Sequence, residues 1–189
     1  MNSFNMTLTK TPICDFGKKA EPFELLSTDN KKINLDHIKG EKGTLIMFIC
    51  NHCPYVKAVI KDIVQDCKEL EKIGIKSVAI CSNDVKNYPE DSFDNMAKFS
   101  KNNNFDFPYL FDEKQEIAKR YDAVCTPDFF GYNSNLELQY RGRIRELKEL
   151  KPIKDGESDL LKAMKHIAKT GNGPKDQIPS MGCNIKWFN

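Results

Sequence analysis

An α/β fold, with a central mixed β-sheet flanked by helices, follows from three stretches of this 189-residue chain. "TLIMFIC" (44–50) and "IKSVAIC" (75–81) are short, continuous apolar runs, the pattern of strands covered on both faces. Between them Val56, Ile60, Ile63, Val64, Cys67 and Leu70 recur at helical spacing. Strand, helix and strand in that order are joined most simply by a parallel crossover.

The remaining elements take their places around this unit. Residues 22–35, "PFELLSTDNKKINL", read as two short strands about an Asp-Asn turn, an N-terminal β-hairpin extension. Pro54 starts the first helix, because its missing N–H falls among donors that a first turn leaves unpaired, and Gly74 stops it. The polar stretch "SNDVKNYPEDS" carries Asp91 and Ser92, either able to cap a helix running through Met96 and Phe99. "FDFPYLFD" is apolar and aromatic, and "EKQEIAKRYD" has the composition of a short helix. "DFFGYN" and "LELQYRGRI" flank an Asn-Ser-Asn turn and form a hairpin expected at an antiparallel sheet edge. In 157–169, Leu160, Leu161, Met164, Ile167 and Ala168 share one helical face, and "TGNG" ends that helix. Residues 171–189 read as an irregular C-terminal tail, and 1–189 as one domain. No repeat or low-complexity segment interrupts it.

Composition excludes several classes of function. The 29 basic and 27 acidic side chains leave a formal charge of +2, and the basic residues are scattered, so no nucleic-acid partner is expected. The N-terminus lacks the apolar core of an export signal and no run reaches membrane length, so a cytoplasmic protein without a membrane partner is expected. Seven cysteines, an odd number, argue against a disulfide framework. Cys67 lies on the apolar stripe of its helix and Cys81 closes a strand, so both read as core residues; Cys14 has no motif around it.

Cys53 differs from these. It sits where a buried strand turns into a helix, facing unpaired N–H groups and the positive end of the helix dipole, which favour thiolate over thiol. His52 and Lys57 offer further positive charge. "VCTPDFF" places Thr126-Pro127 at a strand entry, a site for a cis peptide. Strand, cysteine, helix, Thr-Pro hairpin and terminal helix follow the chain order of the thioredoxin-like fold. Asn83, Asp84, Glu90 and Asp91 leave the carboxyl end of the second strand, where open α/β sheets bind ligands. Of these, Glu90 and Asp91 read more readily as surface residues than Asp84 does. His37 and His166 read as surface residues.

"FICNHCPYVK" resembles the active-site segment of thioredoxins and glutaredoxins, with Val56 in place of the second cysteine of a "CPYC". Over nearly the whole chain, "FGKKAEPFEL", "CNHCPYV", "SND" with "YPEDS", "FPYLFDEKQEIAKRYDAVCTPDFF", "YRGRI" and "GCNIKW" resemble the peroxiredoxin-like branch of the alkyl hydroperoxide reductase and thiol-specific antioxidant superfamily. The resemblance implies thiol redox chemistry on Cys53 without a cofactor. Its partners would be a disulfide-bearing protein, a small thiol or peroxide, and a thioredoxin- or glutathione-type reductant. The chain departs from the peroxidase pattern Pro-x-x-x-Thr-x-x-Cys, having Ile46 in the Pro place and Cys50 in the Thr place. The family arginine also has no counterpart in "CTPDFF", which leaves Arg141 or Arg143 to substitute.

A thiol cycle needs a second sulfur. Cys125, beside the Thr-Pro that packs against the nucleophile in this fold, is the first choice. Cys50 has CxxC spacing but ends a strand, and would need backbone movement to pair. Cys183 lies in a Gly-rich tail able to fold across the site. Each reads equally as a packing residue. A protein substrate would lie extended beside Thr126-Pro127, with Pro54, His52, Asn83 and Asp84 lining the cleft. The rival reading is a zinc or interaction module drawing on Cys50, His52, Cys53 and a distant Cys125 or Cys183.

Overall fold

The structure, a computed structural model, describes residues 7–12 and 15–188, so Cys14 lies outside the described residues. The strands are β1 (Leu8–Lys10), β2 (Glu24–Ser27), β3 (Lys32–Asn34), β4 (Gly43–Phe48), β5 (Ile75–Cys81), β6 (Tyr109–Phe111), β7 (Cys125–Thr126), β8 (Asp128–Asn133), β9 (Leu138–Tyr140), β10 (Leu147–Lys148), β11 (Lys151–Pro152) and β12 (Met181–Asn184). The helices are α1 (Pro54–Lys72), α2 (Phe93–Asn102), α3 (Glu116–Arg120) and α4 (Asp159–Thr170), with a 3₁₀ turn at Pro89–Asp91. Among the described residues no helix is long and apolar enough to cross a membrane.

Seven strands form a mixed sheet in the order β3-β2-β6-β5-β4-β8-β9. β4 is its centre, parallel to β5 and antiparallel to β8, so Ile46 faces Val78 on one side and Phe130 on the other. Every β4 residue is buried, as its unbroken apolar run demands. The two-residue alternation then divides the core. Leu45 and Met47 pack with Val56, Ile63, Leu160, Met164 and Ile167 beneath α1 and α4. Ile46 and Phe48 pack with Val78, Phe130, Phe23, Ile117 and Tyr121 on the opposite face. Each such side chain contributes roughly 1.5–3 kcal/mol by leaving water. The hairpin β2-β3 and the edge hairpin β8-β9 stand where the sequence places them, with Asn30 supplying the positive φ of the first turn.

Helix ends follow local chemistry. Ser92, rather than Asp91, caps α2 by accepting the Asn95 N–H. Ser158 caps α4 through the Leu161 N–H and donates to Asp66 of α1 at 2.5 Å, fastening the two helices. Gly74 and Gly171 take positive φ just past α1 and α4.

The tail corrects the expectation of an irregular segment over 171–189. Residues 181–184 form β12, the middle strand of a second sheet ordered β1-β12-β7. Cys183 stands opposite Leu8 on one side and Thr126 on the other. Ser180 donates to the Pro127 carbonyl at 2.7 Å, and Ile185 is buried in the core. A four-residue, glycine-containing strand carries little intrinsic preference; its two neighbours make it a strand.

The Thr126-Pro127 peptide is cis, as expected. Arg141 and Asp128 brace the chain around it. The Arg141 guanidinium donates to both Asp128 oxygens (2.9 and 3.3 Å) and to the Asp122 carbonyl, and it stacks over Phe130. The Val124 N–H donates to the same carboxylate at 3.2 Å. Both side chains of the pair are buried. Asp128→Ala should therefore leave a buried unpaired cation and cost about 3–5 kcal/mol, read as a fall in urea midpoint at unchanged slope.

Candidate active site

Cys53 is the N-cap of α1, Pro54 is its first helical residue, and the Lys57 N–H donates to the Cys53 carbonyl at 3.0 Å. The Cys53 sulfur is wholly buried. It lies 3.0 Å from the Cys183 sulfur and 3.2 Å from the Thr126 carbonyl oxygen. The carbonyl can only accept, so it favours the protonated thiol. Against it stand four donors: the Cys183 and Cys50 thiols and the Val56 and Cys183 N–H groups. Chief among them is Cys183, and together they hold the Cys53 pKa well below that of a free cysteine despite burial.

The converse holds for the donating thiols. The bond to Cys53, reinforced by burial, pushes the Cys183 pKa up. Burial, then Cys53, raises that of Cys50, whose sulfur also meets the Thr126 hydroxyl at 3.4 Å. These directions favour ionisation of Cys53 over that of its two sulfur neighbours.

This geometry reorders the candidate resolving residues. Cys125, the first choice from sequence, directs its thiol to the Pro127 carbonyl at 3.6 Å, and burial keeps it protonated. Cys183 takes the position at the Cys53 sulfur because β12 pairs with β7 and carries it there. Cys67 and Cys81 are core residues, as expected. Lys57 is exposed and does not enclose the sulfur. Arg141 is held by Asp128, and Arg143 by Asp159 at 2.7 Å and Glu146 at 3.7 Å, so both guanidiniums already serve carboxylates.

Behind Cys53 lies a polar network centred on Asp91, which is fully buried, contrary to its reading as a surface residue. Its carboxylate accepts from the Asn51 N–H (2.7 Å), the His52 N–H (3.3 Å), the Asn83 side-chain amide (2.8 Å) and the His52 ring at Nδ1 (2.6 Å). Asn51 in turn accepts from the Tyr109 hydroxyl at 2.9 Å. His52 stacks on Tyr88. Burial disfavours the charged imidazole, yet the hydrogen bond and charge of Asp91 outweigh it and raise the His52 pKa. Asp84, preferred from sequence, instead accepts from the Lys86 and Asn87 N–H groups of its own loop. A lone aspartate in a Pro-Glu-Asp-Ser run gives no local sign that a strand end forty residues earlier encloses it.

Cys50, His52 and Asp91 offer metal-capable atoms within 4.8 Å of one another, and they are the cluster of that kind among the described residues. Cys53, Cys125 and Cys183 are not in it. The Asp91 oxygens already accept four hydrogen bonds, and Cys50 would have to lose a proton that its burial retains. The donor set suits a proton-holding network better than a tetrahedral zinc site.

No curated protein matches the chain. Among solved structures, an uncharacterized conserved protein from Geobacillus kaustophilus is 39% identical, with a TM-score of 0.92 over 98% of each chain. A hypothetical protein from Sinorhizobium meliloti 1021 is 32% identical, with a TM-score of 0.88 over 95% of this chain and 98% of its own. A thiol:disulfide interchange protein of the thioredoxin family from Chlorobium tepidum TLS is 17% identical, with a TM-score of 0.62 over 82% of this chain and 99% of its own, and shares the thioredoxin-like fold. The AhpC/TSA family model matches residues 16–147, across the cysteine site and the cis proline, and the chain belongs to the AhpC/TSA family.

Proposed function

We propose that this protein is a thiol-disulfide oxidoreductase in which Cys53 attacks a disulfide and Cys183 resolves the intermediate. The observation that carries the reading is the Cys53–Cys183 sulfur pair at 3.0 Å, one partner favoured as thiolate and the other as thiol. Family membership supports thiol redox chemistry in general.

The Cys53 thiolate attacks one sulfur of the substrate disulfide; that S–S bond breaks, a mixed disulfide forms, and the other substrate sulfur leaves as a thiolate that takes a proton from water. Cys183 then loses its proton and attacks the Cys53 sulfur, forming Cys53–Cys183 and releasing the second substrate thiolate. Two electrons have passed from protein to substrate, and a dithiol reductant restores the pair. The His52 ring and the Cys53 sulfur favour each other's charged forms, an attraction that the adjoining Asp91 carboxylate offsets.

Peroxide reduction fits less well. Efficient O–O cleavage needs donors aimed at the departing oxygen; here the two thiols and the Val56 and Cys183 N–H groups serve the sulfur itself, and Arg141 and Arg143 are engaged by carboxylates.

Cys53→Ser should abolish disulfide reduction. Cys183→Ser should keep the first attack but accumulate the mixed disulfide, seen by intact mass, while Cys125→Ser should turn over normally. Trapping in Cys125→Ser instead would reassign the resolving role.

His52 also makes a pH-dependent contribution to stability. Its folded pKa lies above the unfolded value of about 6.5, so the contribution is complete below that pH and disappears as pH rises through the folded pKa. Unfolding free energy measured in urea should fall on going from about pH 6.5 to mildly alkaline pH, and the fall should be smaller in His52→Gln.

A further inference from the structure

The Cys53 sulfur that must meet a substrate has no exposed surface, and what covers it is the chain's own β12. β12 lies antiparallel to β7 with Cys183 opposite Thr126, the main-chain edge along which an extended substrate would pair. It presents a cysteine sulfur to Cys53 at 3.0 Å, as a substrate cysteine would. We infer that β12 is an internal stand-in for the substrate: it closes the Thr126 edge at rest and yields it to an extended peptide bearing a cysteine with glycine immediately before it. This rests on the thiol-disulfide reading above.

The glycine preference comes from Gly182. A Cβ built there would lie 2.0 Å from the Thr126 carbonyl oxygen and 2.7 Å from its carbon, both backbone atoms that cannot swing aside. That same carbonyl is the one 3.2 Å from the Cys53 sulfur. A strand that delivers a cysteine to Cys53 at this register therefore meets Thr126 too closely to carry a side chain one residue earlier. Residues further along meet a roomier surface. A groove of about 310 Å³ lined by Tyr55, Val59, Pro127, Ile144, Leu147 and Met181 runs on from this edge, with Met181 part-exposed on its rim.

One edge then serves two occupants in turn. The substrate peptide displaces β12, Cys53 forms the mixed disulfide, and the returning β12 brings Cys183 to the Cys53 sulfur while claiming the edge from the reduced peptide. Both ends of β12 are fixed by contacts it can remake, Ser180 to Thr11 and Pro127 on one side and Lys186 to Asn83 on the other.

The test offers full-length Cys183→Ser protein two peptides together in equal amounts, each with its cysteine as a small mixed disulfide, identical except for Gly or Val before that cysteine. Intact-mass analysis should show the Gly-Cys peptide captured on Cys53 in excess of roughly tenfold. Equal capture overturns the inference while leaving Cys53 reactive; absence of capture, with no reaction toward a small aromatic disulfide either, overturns the oxidoreductase reading itself. Independently, Gly182→Ala should lever β12 from Thr126 and speed iodoacetamide labelling of reduced Cys53 by roughly tenfold or more, with Cys67 and Cys81 still protected. Unchanged Cys53 labelling in that folded variant also overturns it.

Discussion

The chemistry of this site depends on how one sulfur is solvated. Cys53 has left water entirely, which by itself would make it a thiol of high pKa, like Cys67 and Cys81. What separates it from them is an arrangement of donors: the first turn of α1 supplies the Val56 N–H, and β12 and the turn between β4 and α1 supply the Cys183 and Cys50 thiols. Protein donors replace water, and they are fixed before any substrate arrives. The Thr126 carbonyl opposes them, and it is also the atom that limits what can lie beside the site.

The fold exists to hold that arrangement. β4 runs buried through the sheet centre and ends at Phe48, five residues before Cys53, so α1 starts at a fixed place over the sheet. The Asp91 carboxylate pins the two intervening residues, Asn51 and His52, by their N–H groups. On the far side, the buried Arg141–Asp128 pair sets the chain between residues 122 and 128, and hence the edge on which β12 lies. A buried ion pair of this kind gives little net stability but is costly to break, which suits a device for positioning.

Much of this was legible from sequence because it is written locally. The apolar runs 44–50 and 75–81, the helical spacing from Val56 to Leu70 and the Cys-Pro helix start each state their structure within a few residues. Most of the features that sequence reading misses are contacts at long range. Asp91 looks like a loop acid until Asn51 and His52 close on it, and Asp84 looks like a cleft residue although it serves its own turn. Proximity to Thr126-Pro127 along the chain favours Cys125 over Cys183. Alternating side-chain direction in β7 sends Cys125 elsewhere, while a strand from the opposite end of the chain delivers Cys183. Arginine roles were likewise hidden, since the partners of Arg141 and Arg143 lie on other elements.

The most direct test is a spectroscopic titration of the Cys53 thiolate, taken as the difference in ultraviolet thiolate absorbance between the reduced protein and Cys53→Ser. This difference should be fully developed at neutral pH and persist well into the acid range. A difference that grows in only around pH ~8.5 or above, where an ordinary or buried cysteine ionises, would contradict it.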